Sequence, residues 1–162
     1  MELSICEYAE NDVERLCEIW NEVVADGLAF AGEKLLSYTE MKEMLGRQTQ
    51  VNCAFVDGEA AGFYILHPND IGRRSHIANA SYAVAKKFQG CGIGRALVEN
   101  SLQQAAKHGF SGLQFNAVVA TNQSAIHLYR DLGFDEVGRI PGGFRVKDGS
   151  FVDLLMFFKK VG

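Results

Sequence analysis

The sequence predicts an α/β domain, a mixed sheet with helices on both faces. Three observations carry this reading. The periodic segments run strand, one or two helices, three strands, helix, strand, helix, two strands. Asp57-Gly58-Glu59 separates two strand-like runs, Val51 to Val56 and Ala60 to Leu66, and Asp-Gly between such runs marks a hairpin. Gln89-Gly90-Cys91-Gly92-Ile93-Gly94-Arg95 stands where a strand-like run, Ile77 to Ala85, gives way to a helix-like run, Ile93 to Lys107.

Each element has its own signal. Leu3 to Glu7 reads as a short first strand. Asn11-Asp12-Val13-Glu14 has the form of a capping box, with Asn11 as cap and Glu14 reaching back. Val13, Leu16, Cys17, Trp20, Val23 and Val24 then recur at helical spacing, and Gly27 is the stop. Leu28 to Leu36 has no clean period. Thr39 is placed to cap a short helix carrying Met41, Met44 and Leu45, ended by Gly46. The hairpin follows, then a polar loop from Pro68 to Ser75 and a central strand, Ile77 to Ala85.

The next helix presents Val98, Leu102 and Ala105, and Gly109 with Phe110 behind it fits a Schellman stop. Leu113 to Val119 is a strand. Thr121 or Asn122 caps a helix whose Ala125, Leu128, Tyr129 and Leu132 share a face, and Gly133 ends it. Phe134 to Gly138 and Phe151 to Phe158 are the last two strands, separated by Pro141-Gly142-Gly143 and a turn at Asp148-Gly149.

At 162 residues, the chain predicts one domain, 1–162, with one core. With 48% hydrophobic and 22% charged residues, the composition argues against disorder. A net charge of −4 leaves no electrostatic footprint for nucleic acid. The longest stretch free of Lys, Arg, Asp and Glu, His108 to Tyr129, is rich in Asn, Gln, Ser and Thr, so no membrane association is expected. Cysteines 6, 17, 53 and 91 show no metal or redox spacing, and no metal is expected. Free cysteines and an N-terminus without an apolar h-region point to a cytoplasmic protein.

The glycine loop carries the chemistry. Glycine admits φ > 0 and close approach of a ligand. The first-turn amides of the following helix lack internal partners and lie at the positive end of its dipole. Together these features make a cradle for a phosphate or pyrophosphate. A plain strand-to-helix turn would use the same residues. A Walker loop is excluded because Arg95 and Ala96 follow Gly94. A dinucleotide fingerprint is excluded because Arg95 stands where its third glycine belongs.

What remains, Gln-x-x-Gly-x-Gly, resembles the coenzyme A loop of the GNAT N-acetyltransferase superfamily. Asn122-x-x-Ala125-x-x-Leu128-Tyr129-x-x-x-Gly133-Phe134 resembles that family's helix after its fifth strand. The resemblance implies the acyl-CoA N-acyltransferase fold, with a mostly antiparallel sheet of six to seven strands. It implies acetyl-CoA as co-substrate, bound by Val84, Gln89, Gly90, Cys91, Gly92, Ile93, Gly94, Arg95 and Asn122. It places Tyr129 at the thioester as the catalytic acid, and a backbone amide near Val84 at the thioester carbonyl.

Further residues, among them Gly62-Phe63-Tyr64, Asn69, Asn79, Phe115-Asn116, Gly138-Arg139-Ile140-Pro141-Gly142 and Val152-Asp153, resemble the branch of fungal L-azetidine-2-carboxylate acetyltransferases. That branch has tryptophan where this chain has Tyr129. The resemblance implies a small amine acceptor, such as a proline-like imino acid or another amino acid, recognised by Asn79 and Asn116. The same residue types also serve as structural hydrogen bonds within a sheet. Glu33, Asp26, His76 and a water chain are all open as the general base. A protein lysine or N-terminus as acceptor, and a non-catalytic acyl-CoA-binding module, are the alternative readings. A homodimer is compatible with each.

Overall fold

The computed structural model describes residues 1–162. Its elements are β1 (Leu3–Glu7), α1 (Val13–Asp26), α2 (Tyr38–Gly46), β2 (Gln50–Val56), β3 (Glu59–Pro68), β4 (Ile77–Val84), α3 (Ile93–Lys107), β5 (Gly112–Val119), α4 (Gln123–Asp131), β6 (Asp135–Arg145) and β7 (Phe151–Lys160). The seven strands form one sheet in the order β1-β2-β3-β4-β5-β7-β6. Only β4 and β5 run parallel, joined by the crossover through α3. No helix is long and apolar enough to cross a membrane.

Strand alternation divides the core between the two faces. Tyr64, Leu66, Ala78 and Ala80 pack with Ile93 and Leu97 of α3 and, further along, with Leu113, Phe115, Ile126 and Phe157. On the other face Phe63, Ile65 and Ala83 meet Val13, Leu16 and Ile19 of α1 and Met41 and Leu45 of α2. The β2–β3 hairpin closes over Asp57 (φ 49°) and Gly58 (φ 82°), two left-handed residues of the kind that Asp-Gly supplies.

Three local expectations change. The Asn11–Glu14 box does not form. Glu10–Asp12 makes a 3₁₀ turn instead, and the Asp12 carboxylate accepts the Ala9 N–H at 2.7 Å. The cap of α2 is Ser37 rather than Thr39. Ser37 Oγ accepts from Glu40 N at 3.1 Å, and Glu40 Oε1 accepts from Ser37 N at 3.0 Å. Strand β6 does not stop at Gly138 but runs to Arg145, through an irregularity between Ile140 and Phe144. Pro141 is tolerated because β6 is the sheet edge. Asp153 secures the irregular stretch, accepting from Gly142 N and Arg139 Nη1, both at 2.9 Å.

Candidate active site

The sheet opens between β4 and β5. Their pairing is limited to Ile77 with Gly112 and Ala78 with Leu113, after which the strands part. The β3–β4 ladder uses the odd-numbered residues of β4, as its flanking bonds show: Asn69 N–H to Ile77 C=O and Ala85 N–H to Ala61 C=O, both 2.8 Å. The backbone groups of Ala80, Tyr82 and Val84 therefore face β5 across a gap with no strand to meet them. Opposite, the β5–β7 register slips between Phe115 and Val118, leaving a bulge at Asn116 and Ala117. A cleft of about 1170 Å³ fills this gap.

The glycine loop forms one end of the cleft. A 3₁₀ turn at Lys86–Phe88 leads into it, and Gly90 (φ 77°) and Gly92 (φ 81°) are both left-handed. That conformation costs a side-chain-bearing residue about 1–2 kcal/mol. Gly92 is the N-cap of α3. From Gly90 to Arg95 six consecutive backbone amides have no acceptor in the protein. A Cβ on Gly90 or Gly92 would meet open space, and one on Gly94 would only touch Leu128 Cδ2 at 3.8 Å. The room in front of these amides fits an anionic group at a helix N-terminus.

Gln89, Gly90, Gly92, Ile93 and Gly94 line the cleft, as does Val84. The side chains of Cys91 and Arg95 do not. Cys91 is exposed, with Sγ 3.8 Å from Gln89 O. Arg95 turns away to pair with Asp131, because an acidic partner on α4 lies within its reach. Only the backbone amides of these two residues remain available at the loop. Asn122 caps α4: its Oδ1 accepts the Ala125 N–H at 3.3 Å, leaving Nδ2 free to donate into the cleft.

Tyr129 reaches the cleft from α4. Its ring packs 4.5 Å from Phe115, 5.6 Å from Phe134 and 5.8 Å from Phe157 between centroids, and its hydroxyl has no partner in the protein. Burial pushes its pKa above the ordinary tyrosine value, so the phenol stays protonated at neutral pH and can donate a hydrogen bond. Neighbouring Tyr82 is committed elsewhere: Ser101 Oγ donates to Val98 O, so the Tyr82 hydroxyl donates to Ser101 Oγ at 2.7 Å.

Asn79 and Asn116 both line the cleft, on the sheet face that carries α1 and α2. The Asn79 amide is unpaired. Asn116 stands in a ladder of neutral amides, accepting from Gln114 Nε2 at 2.9 Å and donating to Asn69 Oδ1 at 2.7 Å. Gln114 escaped sequence reasoning, although Gln-x-Asn on a strand does place two amides on one face. Trp20 and Phe30, with ring centroids 4.4 Å apart, form an apolar wall nearby.

Of Asp26, Glu33 and His76, only Asp26 lines the cleft, and it is the one charged side chain that does so. It pairs with Lys86 at 2.9 Å. Glu33 pairs with Arg145 at 2.9 Å beside a second pocket of about 550 Å³, beyond the Phe30–Gly32 wall. His76 is exposed outside the cleft.

Comparison with known proteins supplies a family for this geometry. The family described as Acetyltransferase (GNAT) matches residues 14–134. The N-acetyltransferase aca1 of Schizosaccharomyces pombe is 38% identical over 97 residues, 59% of this chain and 46% of that protein, so the match spans less than half of this curated relative. A GCN5-related N-acetyltransferase from Kribbella flavida superposes with a TM-score of 0.92 at 29% identity, over 98% of each chain. A phosphinothricin acetyltransferase from Sinorhizobium meliloti, solved with acetyl-CoA, shares the fold with a TM-score of 0.92 at 22% identity, over 100% of this chain and 90% of that one. With most of its length matched by the family, and with the sheet opened beside a run of free amides, the chain belongs to the GNAT acetyltransferase family.

Proposed function

We propose that this protein is an acetyl-CoA-dependent N-acetyltransferase whose acceptor is a small amine bearing a carboxylate, with a proline-like imino acid as the leading case. The observation that carries the reading is the run of six unpaired amides, Gly90 to Arg95, at the edge of the gap between β4 and β5. These amides and Asn122 Nδ2 hold the coenzyme's phosphates and amide-bearing arm. The arm adds a false strand edge to the gap, where the Val84 N–H meets the thioester carbonyl and supports the charge that develops on it. Tyr129 donates a hydrogen bond to the departing thiolate, and no covalent enzyme intermediate is needed.

The acceptor enters from the side of α1 and α2. Asn79 and Asn116, the latter held in place by Asn69 and Gln114, bind its carboxylate through amide N–H groups. A neutral site does not raise the positive potential around an amine that must lose its proton to attack. Asp26, the one carboxylate lining the cleft, or a water chain takes that proton.

The test is release of free coenzyme A across an amine panel. An imino acid should react and its methyl ester and descarboxy analogue should not. Asn79→Ala should raise the acceptor's KM, or lower kcat/KM, while leaving coenzyme binding near normal. Equal reaction of all three compounds would remove the carboxylate assignment. Reaction of peptides alone would move the acceptor to a protein lysine or N-terminus. Coenzyme binding without turnover on any amine would leave an acyl-CoA-binding module.

A further inference from the structure

We infer that Cys6 and Cys53 form a cross-strand dithiol, a modification site that a hydroperoxide oxidises to an intramolecular disulfide. The two residues stand far apart in sequence, but the antiparallel register of β1 and β2 sets them directly opposite each other. The flanking bonds Tyr8 N–H to Val51 C=O (3.2 Å) and Asp57 N–H to Glu2 C=O (2.9 Å) place the even-numbered β1 residues in hydrogen-bonded pairs. Opposed residues in such a pair have Cα atoms about 5.5 Å apart. Disulfides span Cα separations of about 4.4–6.8 Å and Cβ separations of about 3.5–4.5 Å, so the edge strand β1 draws toward β2 by about 1 Å from the roughly 5.5 Å Cβ spacing of a hydrogen-bonded pair as the bond forms. Directly opposed side chains also point to the same face of the sheet.

The two thiols differ in access, and that difference assigns their roles. Cys6 is exposed on the edge strand, whereas Cys53 is fully buried. Burial, with Asp12 and then Cys6 nearby, pushes the Cys53 thiol upward, so it is a poor first nucleophile. The Cys6 thiolate therefore attacks the peroxide, forming an S–O bond as the O–O bond breaks and releasing water (or an alcohol). Cys53 sulfur then attacks the Cys6 sulfenic acid: the S–S bond forms, the S–O bond breaks, and the departing hydroxide leaves as water with the Cys53 proton. Two thiols lose two electrons and the peroxide gains them. The other cysteines have no such partner: Cys17 is buried, with Sγ donating to Leu36 O at 3.3 Å, and Cys91 stands alone in the glycine loop.

The new bond would tie the edge strand to its neighbour and close a chain loop containing α1 and α2. Neither cysteine lines the cleft, so Cys6→Ser should keep wild-type turnover. The experiment treats the reduced full-length protein with hydrogen peroxide, then maps thiols and cross-linked peptides by mass spectrometry without reduction. The expected product is a monomer that has lost two hydrogens, with Cys6 and Cys53 peptides joined and the bond reversed by dithiothreitol. Its Tm should exceed that of the reduced form by about 10 °C. Cys6→Ser and Cys53→Ala should each abolish the link and the Tm rise; the first, at an exposed position, guards against a folding defect in the second. Oxidation of Cys6 to the sulfinic acid with Cys53 left free, or a link formed only after denaturation, would overturn the proposal.

Discussion

Replacing Tyr129 by Phe removes one atom whose role is separable from packing. The hydroxyl has no protein partner, so its loss strands no buried donor or acceptor. The ring contacts with Phe115, Phe134 and Phe157 remain. Stability should therefore change by less than about 0.5 kcal/mol at neutral pH, a Tm shift of roughly 2 °C or less. On the proposed role, in which the hydroxyl's hydrogen bond forms only as the thiolate departs, turnover should fall about 10²-fold with acetyl-CoA affinity unchanged. That factor corresponds to about 2.7 kcal/mol of transition-state stabilisation.

Alkaline pH supplies a second readout of the same residue. The folded protein holds the Tyr129 proton more tightly than the unfolded chain does. The stability this contributes is present below pH about 10 and is lost as the pH rises above that value. The Phe variant should therefore lose less stability than wild type above pH 10, while Tyr64 and Tyr82, shifted the same way by burial, keep part of the slope in both. Steady-state kinetics, calorimetric affinity and thermal melts across pH make the test. Wild-type kcat at every pH, or a kcat loss matched by a large Tm loss, would refute the hydrogen-bond role.

Three further substitutions separate binding from folding. Gly94→Ala has room and ordinary backbone geometry, so it should hold or raise Tm by the few tenths of a kcal/mol that helix propensity provides, yet weaken acetyl-CoA binding at least about tenfold in calorimetry. Asn122→Ala should cost about 1 kcal/mol through the lost cap and also weaken coenzyme binding, whereas Asn122→Ser keeps a cap oxygen and should lose only the binding, as melts and titrations would show. Arg95→Ala should leave coenzyme affinity within about threefold, since the guanidinium is turned to Asp131.

The fold was legible wherever chemistry is local. Helix α3 begins at Ile93 and ends at Lys107, as its periodicity and the Gly109 stop require, and the Gly109 N–H to Ala106 O and Phe110 N–H to Ala105 O bonds complete the Schellman pattern. Caps were less legible, because several polar residues compete at each helix start. Ser37 wins over Thr39 because Glu40 stands three residues after it and can return the bond. From sequence alone β6 ends at Gly138, because Pro141-Gly142-Gly143 has the form of a turn. What keeps it in the sheet is a carboxylate on the next strand, Asp153, and no local pattern announces that partner.

The site shows the same division between local and distant causes. The glycines, the helix start and the cap residue are contiguous in sequence, and their free amides follow from geometry that each segment imposes on itself. The gap those amides border does not. It exists because the parallel pairing ends after Ala78 and Leu113, while β5 gains an extra residue at Asn116–Ala117 against β7. Both events depend on the register of strands that are remote in sequence, and a run such as Leu113 to Val119 reads as an unbroken strand. The same register decides whether a polar residue in a strand is structure or site. Asn52, expected only as part of a strand, is buried and bonded to Asn100 at 2.8 Å, while Asn79, also within a strand, opens onto the cleft with its amide unpaired. Both are asparagines flanked by short apolar residues. What separates them is that α3 covers one and the parting of β4 from β5 uncovers the other.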